Sequence, residues 1–333
     1  MIGIVIESLI KSVLIAFVLL TAFAYLTFAE RKIAALMQVR KGPNRVGPWG
    51  LLQPAADGIK LLFKEEVMPA GADKILFFLA PMLTMIPAIV IVAVIPVGPD
   101  VELFGRIIRL GISDLNVGLL YILAIASVAV YGIVLAGWSS ANKYALLGGL
   151  RASAQMISYE IALGLSIIGP IMLAGTLSLQ GIVQAQQSST WYVLWQPLGA
   201  MIFLISGLAE LNRAPFDMPE AEQELTAGYF TEYSGMKFSL FFMGEYIKMV
   251  AVSAIATTLF FGGYLGPFVE KFPWLGILYF GIKTAAFLFL MIWIRLTLPR
   301  LRYDQLMAFG WKVLLPLALF NVVITAVVIV FVG

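Results

Sequence analysis

Six of the 19 acidic residues in this 333-residue chain fall within positions 210–232: Glu210, Asp217, Glu220, Glu222, Glu224 and Glu232. The run Asp217-Met218-Pro219-Glu220 predicts a helix start, with Asp217 as the cap and acids in the first turn. Glu220 and Glu224, four apart, would share a face and repel each other. Such repulsion raises carboxylate pKa values, so a row of these groups can accept and pass protons near neutral pH. The plainer reading is a solvated acidic loop, or a docking surface for a basic partner. Further charges fall at or inside strongly apolar stretches: Glu30, Glu160, Glu210, Glu245, Lys248 and Lys283. Each costs about 2.5–3.5 kcal/mol at the centre of a membrane-spanning helix. Glu245 and Lys248, three apart, predict an ion pair on one helix face. Glu160 closes Ser158-Tyr159-Glu160 and precedes an apolar run. Buried carboxylates on several helices, in a chain without histidine, point to a proton path made of carboxylates and water. The competing reading puts Glu30 and Glu210 at the interface and Glu160 and Glu245 in structural ion pairs.

The composition narrows the chemistry. With no Cys and no His, this chain can hold no iron–sulfur cluster, no His- or Cys-ligated haem and no usual zinc site. Disulfides, nucleophilic Cys and a Ser-His-Asp triad are excluded as well. Electron transfer, if any, belongs to a partner or a diffusible substrate. Apolar residues make up 61% of the chain and charged ones 12%, with a mean hydropathy of +0.96. Such values exclude a soluble globular domain and a disordered one. The net charge of +3 reads as the basic bias of membrane-protein loops rather than affinity for nucleic acid.

The elements that must position these charges are apolar spans of about 20 residues. The charge-free stretches predict eight, at roughly 5–29, 75–97, 115–138, 158–183, 191–210, 238–262, 274–294 and 313–332. The polar run Gln184-Ala185-Gln186-Gln187-Ser188-Ser189-Thr190 divides the fourth from the fifth. Ala22-Phe23-Ala24 looks cleavable, but the start lacks positive charge, carries Glu7 and stays apolar to Phe28, so an uncleaved helix is expected. Loop 30–74 carries eight Lys and Arg, while the opposite loops carry only Arg106, Arg109 and Lys271, with Lys11 near the N-terminus. Both termini are therefore expected on the outer side. Within the first basic loop, Leu52, Ala55, Ala56, Ile59, Leu62 and Phe63 recur at helical spacing. Gln53, Asp57, Lys60 and Lys64 take the opposite face, and Pro54 suits a first turn. This predicts an amphipathic helix lying in the interface, or an ordinary connecting helix at the surface. The preceding Arg40–Gly50 segment, with its Gly-Pro turns, would meet lipid headgroups or an acidic partner. The expectation is an all-α integral membrane protein of about eight transmembrane helices plus one interfacial helix, forming a single polytopic domain over 1–333. Periodicity alone leaves a channel, a transporter or a respiratory subunit open.

Five segments, in order along the chain, carry a resemblance. They are Ala29-Glu30-Arg31-Lys32; Arg40-Lys41-Gly42-Pro43-Asn44 with Gly50-Leu51-Leu52-Gln53-Pro54; Lys143–Arg151 with Ser158-Tyr159-Glu160; Asn212–Gly228; and Arg302-Tyr303-Asp304-Gln305-Leu306. Together they resemble the H-subunit family of bacterial proton-translocating NADH:quinone oxidoreductase, respiratory complex I. The resemblance implies a junction between the peripheral electron-carrying arm and the proton-pumping membrane arm. By motif, Arg31, Arg40 and Asp57 would line a quinone tunnel, and Phe242 would flank its mouth. Asp217, Glu220, Glu222 and Glu224 would form the acidic loop beside the quinone site. Glu160, Glu210 and Glu245 would lead away from it as a proton path, and Glu30 would belong to either group.

The same resemblance implies a place in the bacterial inner (plasma) membrane. It implies iron–sulfur and quinone-site subunits, small membrane subunits, antiporter-like subunits, quinone and lipids as partners. Quinone is the substrate, while NADH, FMN and iron–sulfur clusters sit on partner subunits. No catalytic or metal-ligating residue is expected here, and no Gly-rich dinucleotide fingerprint occurs in a strand–helix setting. Two alternatives stay open: a homologous membrane subunit of a ferredoxin-fed or hydrogenase-type complex, and an ion-coupled transporter. The transporter would show inverted repeats, and none is evident.

Overall fold

The computed structural model describes residues 2–103, 106–108, 110–218 and 228–332. Helix α1 spans Ile2–Met37 and α2 spans Gln53–Phe63, after a single 3-10 turn at Pro48–Gly50. Then follow α3 (Lys74–Val92), α4 (Gly118–Ser139), α5 (Lys143–Ala174), α6 (Leu179–Ser188), α7 (Tyr192–Trp195) and α8 (Pro197–Glu210). The chain continues through a 3-10 turn at Gly228–Phe230 to α9 (Gly235–Phe260) and α10 (Trp274–Thr297). It closes with α11 (Tyr303–Phe309), a π-turn at Gly310–Leu314 and α12 (Leu315–Val332). Between α3 and α4, β1 (Val101–Leu103) pairs antiparallel with β2 (Arg106–Ile108), with Val101 opposite Ile108. This small hairpin is an exception to the all-helical expectation.

Among the described residues, seven helical stretches are long and apolar enough to cross a membrane. An eighth apolar helix, α8, is shorter than the rest. The expected span at 191–210 is interrupted at Gln196, whose Oε1 accepts from Asn321 Nδ2 at 2.9 Å and whose Nε2 donates to Thr325 at 2.6 Å. A buried amide held by α12 thus takes the place of one helical turn. The polar run 184–190 is helical up to Ser188, and Gln186 donates to Thr258 O at 2.9 Å. Helix α5 begins at Lys143, capped by Asn142, so residues 143–157 are helical in place of the expected loop.

Helix α5 packs against α4, α8 and α12, and α3 packs against α4 and α9. Close approach of α4 and α5 depends on glycine. A Cβ on Gly137 would lie 2.7 Å from Ala145 O and 3.3 Å from the Cα of Gly149. Small residues at helix crossings are the usual means of tight packing in lipid, where no hydrophobic drive joins helices. One face of α1 remains exposed at Leu9, Val13, Leu14 and Phe17, as suits contact with lipid or an apolar neighbour.

The in-span cation Lys283 has a structural occupation. Its Nζ donates to the carbonyls of Phe261, Gly263 and Leu265 at 2.7, 3.0 and 2.7 Å. The chain leaves α9 there through Gly262 and Gly263, both in the left-handed region (φ 70 and 54). The ammonium saturates carbonyls that no helical N–H can reach. Lys283→Met is expected to cost about 2–4 kcal/mol, because charged donors contribute more than neutral ones. A lower thermal midpoint of the native assembly would show it; an unchanged midpoint would leave Lys283 without this role.

Candidate functional site

The site begins with an arginine that enters from a loop. Past the end of α8, Arg213 turns its side chain back among the helices and is 3% exposed. Its Nη1 donates to Glu30 Oε2 of α1 at 3.0 Å, and its Nε donates to Glu245 Oε1 of α9 at 2.5 Å. Arg295, near the end of α10, donates to the other oxygen of Glu30. Tyr246 completes the set: its ring centre lies 4.1 Å from the Arg213 guanidinium carbon, and its hydroxyl bonds Glu30. Burial alone would lower the pKa of Arg213, but Glu245 and Glu30 raise it above its ordinary value, so the guanidinium stays charged. Among the described residues, two carboxylates and two guanidinium groups thus meet here. Arg213 Nη2 is buried without a hydrogen-bond partner.

One helical turn beyond Glu245, Lys248 is 8% exposed and Glu210 at the end of α8 is 7% exposed. Lys248 interacts electrostatically with Glu210 and with Glu160 of α5. The expected Glu245–Lys248 pair does not form: Glu245 bonds Arg213, and Lys248 serves Glu210 and Glu160. The reason is tertiary. The planar guanidinium of Arg213 reaches Glu245 and Glu30 at once, which a neighbour on the same helix cannot match. A cavity of about 40 Å³ is lined by Glu210, Asn212, Glu245 and Lys248, among others. Glu210 and Lys248 also border a second cavity of about 30 Å³ whose other walls are apolar. Each has room for at least one water molecule, which needs about 10–15 Å³ of such space. The first cavity touches both charged clusters.

A separate group lies where α1 meets α2. Asp57 accepts from Arg31 at 2.6 Å and from Gln53 at 3.2 Å, with Lys60 at 3.9 Å. The amphipathic helix is present as expected, and its Ile59, Leu62 and Phe63 are exposed. Its far end is fastened to α9. Ser234 accepts from Val67 N–H, and the buried Lys237 pairs with Glu66 at 3.0 Å over the ring of Phe78. Arg40 is not brought to this group; it is exposed and donates to Gln38 at 2.7 Å. Phe242 is half-buried in an aromatic cluster with Phe230 and Phe238. Asp217 is buried, 3.5 Å from Arg300. Glu220, Glu222 and Glu224 lie outside the described residues, as does all but the beginning of the helix expected from Asp217.

The structure thus joins Glu30 with Glu245, and Glu210 with Glu160. Sequence reasoning finds Lys248 but misses the two arginines. Arg213 and Arg295 are not among the candidate residues read from the sequence, although an Arg three positions after Glu210 is a signal of charge pairing.

A family model described as NADH dehydrogenase matches residues 10–326. One of two H subunits of NADH-quinone oxidoreductase from Geobacter sulfurreducens is 58% identical over 97% of this chain and 96% of its own. An H subunit of the same enzyme from Geobacter metallireducens is 59% identical over 95% and 94%. The corresponding protein of Rickettsia felis is 54% identical over 97% and 93%. With a match along nearly its whole length, this multi-pass membrane chain belongs to the NADH dehydrogenase family, beside the H subunits of NADH-quinone oxidoreductase.

Proposed function

We propose that the chain is the membrane-embedded junction subunit of a proton-translocating NADH:quinone oxidoreductase. In this role it forms part of the quinone tunnel and relays quinone reduction to proton movement. The observation that carries the relay is the small cavity bordered by Glu210, Glu245 and Lys248, which adjoins both charged clusters. Among the described residues, Glu160, Glu210 and Lys248 supply one carboxylate more than they supply cations. An unmatched carboxylate beside water-sized space is where a proton can join and leave without opening the fold.

Electrons would come from iron–sulfur clusters on partner subunits, since this chain has no Cys or His. Forming quinol takes up two electrons and two protons. The resulting change in charge would bias the acidic loop and then the buried pairs, with transfer continuing in antiporter-like partner subunits. Both termini would face the outer side and the basic loops the cytoplasm. Arg31 and Asp57, beside the exposed apolar face of α2, suit a polar quinone head entering from the membrane with its apolar tail behind. Arg40 and Phe242 would border that entrance.

Asp57→Asn is expected to raise the apparent quinone KM several-fold with little change in kcat, because it frees Arg31 without touching the carboxylate clusters. The pair is partly exposed and worth less than about 1 kcal/mol to the fold. An unchanged KM would remove this pair from the tunnel. The proposal as a whole is tested by mild-detergent capture of a tagged copy from native membranes, with mass spectrometry of its companions. Iron–sulfur, flavin and antiporter-like subunits are expected. A flavin-free companion set would point to another donor, and recovery of the chain alone would overturn the reading.

A further inference from the structure

Gln155 belongs to neither charged cluster, yet it holds the turn that supplies members of both. It projects from α5 and is fully buried (0% exposed). Its Nε2 donates to Ala209 O at 2.8 Å and to Phe216 O at 2.7 Å. Those two carbonyls stand at the two ends of the turn that carries Glu210, Asn212 and Arg213. Within the turn the backbone bonds are local, Asn212 N–H to Ala209 O at 3.2 Å and Phe216 N–H to Arg213 O at 2.8 Å, and from outside it Leu301 N–H donates to Pro215 O at 3.1 Å. Among the described residues no backbone bond joins Ala209 to Phe216. Asn212 sits in the left-handed region at φ 52, which asparagine adopts more readily than most residues. The two hydrogens of one amide nitrogen close that gap.

The other half of the amide is informative. Gln155 Oε1 is buried with no hydrogen-bond partner. Burying an unsatisfied acceptor is unfavourable, so the group is present for what its nitrogen donates. One turn along the same helix, the ring of Tyr159 packs on Phe216 at 5.6 Å, and its hydroxyl donates to Leu306 O at 2.8 Å. The same face of α5 therefore backs the turn from behind.

We propose that Gln155 is a positioning residue for the charged path. Its amide fixes the 209–216 turn, and through it places Glu210 beside Lys248 and Arg213 between Glu30 and Glu245. This inference rests on the function proposed above.

The test uses the whole complex. Gln155→Met keeps length and volume but removes both donors; Gln155→Glu keeps the shape and, as the neutral acid, one donor. Assembled complex is counted by the NADH:ferricyanide reaction, which uses the partner's flavin and bypasses this chain. Quinone kcat per complex and quinone KM are then measured. Gln155→Met is expected to lower kcat about ten-fold, as the loss of two buried hydrogen bonds allows, with KM unchanged and Gln155→Glu intermediate. Adding Gln155→Met to Glu210→Gln is expected to slow the enzyme by no more than about two-fold further, since residues acting through one another are not additive.

Full kcat per complex in both Gln155 variants would overturn the inference, whatever their abundance, because Gln155 would then only build the fold. Fully multiplicative effects with Glu210→Gln would overturn it too. If Gln155→Met fails to assemble, Gln155→Glu decides: wild-type kcat overturns the inference and a lowered kcat at unchanged KM supports it. Wild-type turnover in Glu210→Gln and Glu245→Gln would bring down the path itself, and this inference with it. Slow Glu210→Gln beside fast Gln155→Met would remove Gln155 alone.

Discussion

Arg213→Met is expected to destabilise the assembled chain by about 3–5 kcal/mol, the range for removing one partner of a buried ion pair. Glu30 and Glu245 would be left facing each other, with their side chains 11% and 16% exposed. Arg295 still serves Glu30, so the larger loss falls on Glu245, whose bond to Arg213 is gone. Two consequences can be measured. The amount of complex in the membrane should fall steeply, and the surviving fraction should have a lower thermal midpoint. Arg213→Lys should recover only part of the loss. An ammonium is a single point charge, whereas the guanidinium reaches Glu30 through Nη1 and Glu245 through Nε. Adding Glu245→Gln to Arg213→Met should restore much of the stability, because a neutral amide no longer needs the guanidinium. Unchanged abundance and midpoint in Arg213→Met would mean that the arginine does not hold these helices together.

The double variant separates stability from activity. It should assemble but fail in coupled quinone reduction, since Glu245 no longer borders the cavity as an acid. That outcome assigns Arg213 to placing the carboxylates and Glu245 to the chemistry.

What the sequence makes legible follows from what is local. The amphipathic α2 is readable because its two faces alternate at helical period, and because Pro54 is at home in a first turn. The apolar helices are readable from length and composition alone. What escapes is set by contacts distant in the chain. Gln196 looks like one polar residue in an apolar run, and only Asn321 and Thr325 explain why the helix breaks there. Glu245 and Lys248 look paired because i and i+3 are neighbours on a helix. Arg213, 32 positions away in sequence from Glu245, wins that carboxylate. The first turns of α5 look like loop because Lys143 and Arg151 are charged, but both sit on a helix whose buried side packs on α4. For the site, the acids are legible as costly charges in apolar surroundings. Their grouping is not, because the cations that sort them come from a loop, from α10 and from the next turn of α9.

That sorting yields the most specific expectation for activity. Glu210→Gln should leave the complex assembled and its flavin-site reaction intact, yet lower coupled quinone reduction by more than about ten-fold, or about 1.4 kcal/mol of barrier. Assembly should survive because glutamine keeps the volume and the polar contacts. Lys248 also retains Glu160 as an opposite charge. Activity should fall because Glu210 alone among the acids borders both small cavities, so its substitution removes the carboxyl that both share. Lys248→Met should be harmful for the opposite reason, leaving Glu210 and Glu160 to repel each other with no cation between them. Combining Glu210→Gln with Lys248→Met should therefore restore abundance relative to Lys248→Met alone, but not turnover. The cluster's original net charge would be recovered and the proton carrier would not. If the double variant regained coupled turnover, Glu210 and Lys248 would be a structural pair, and the path would have to run through Glu245 and Glu160 without them.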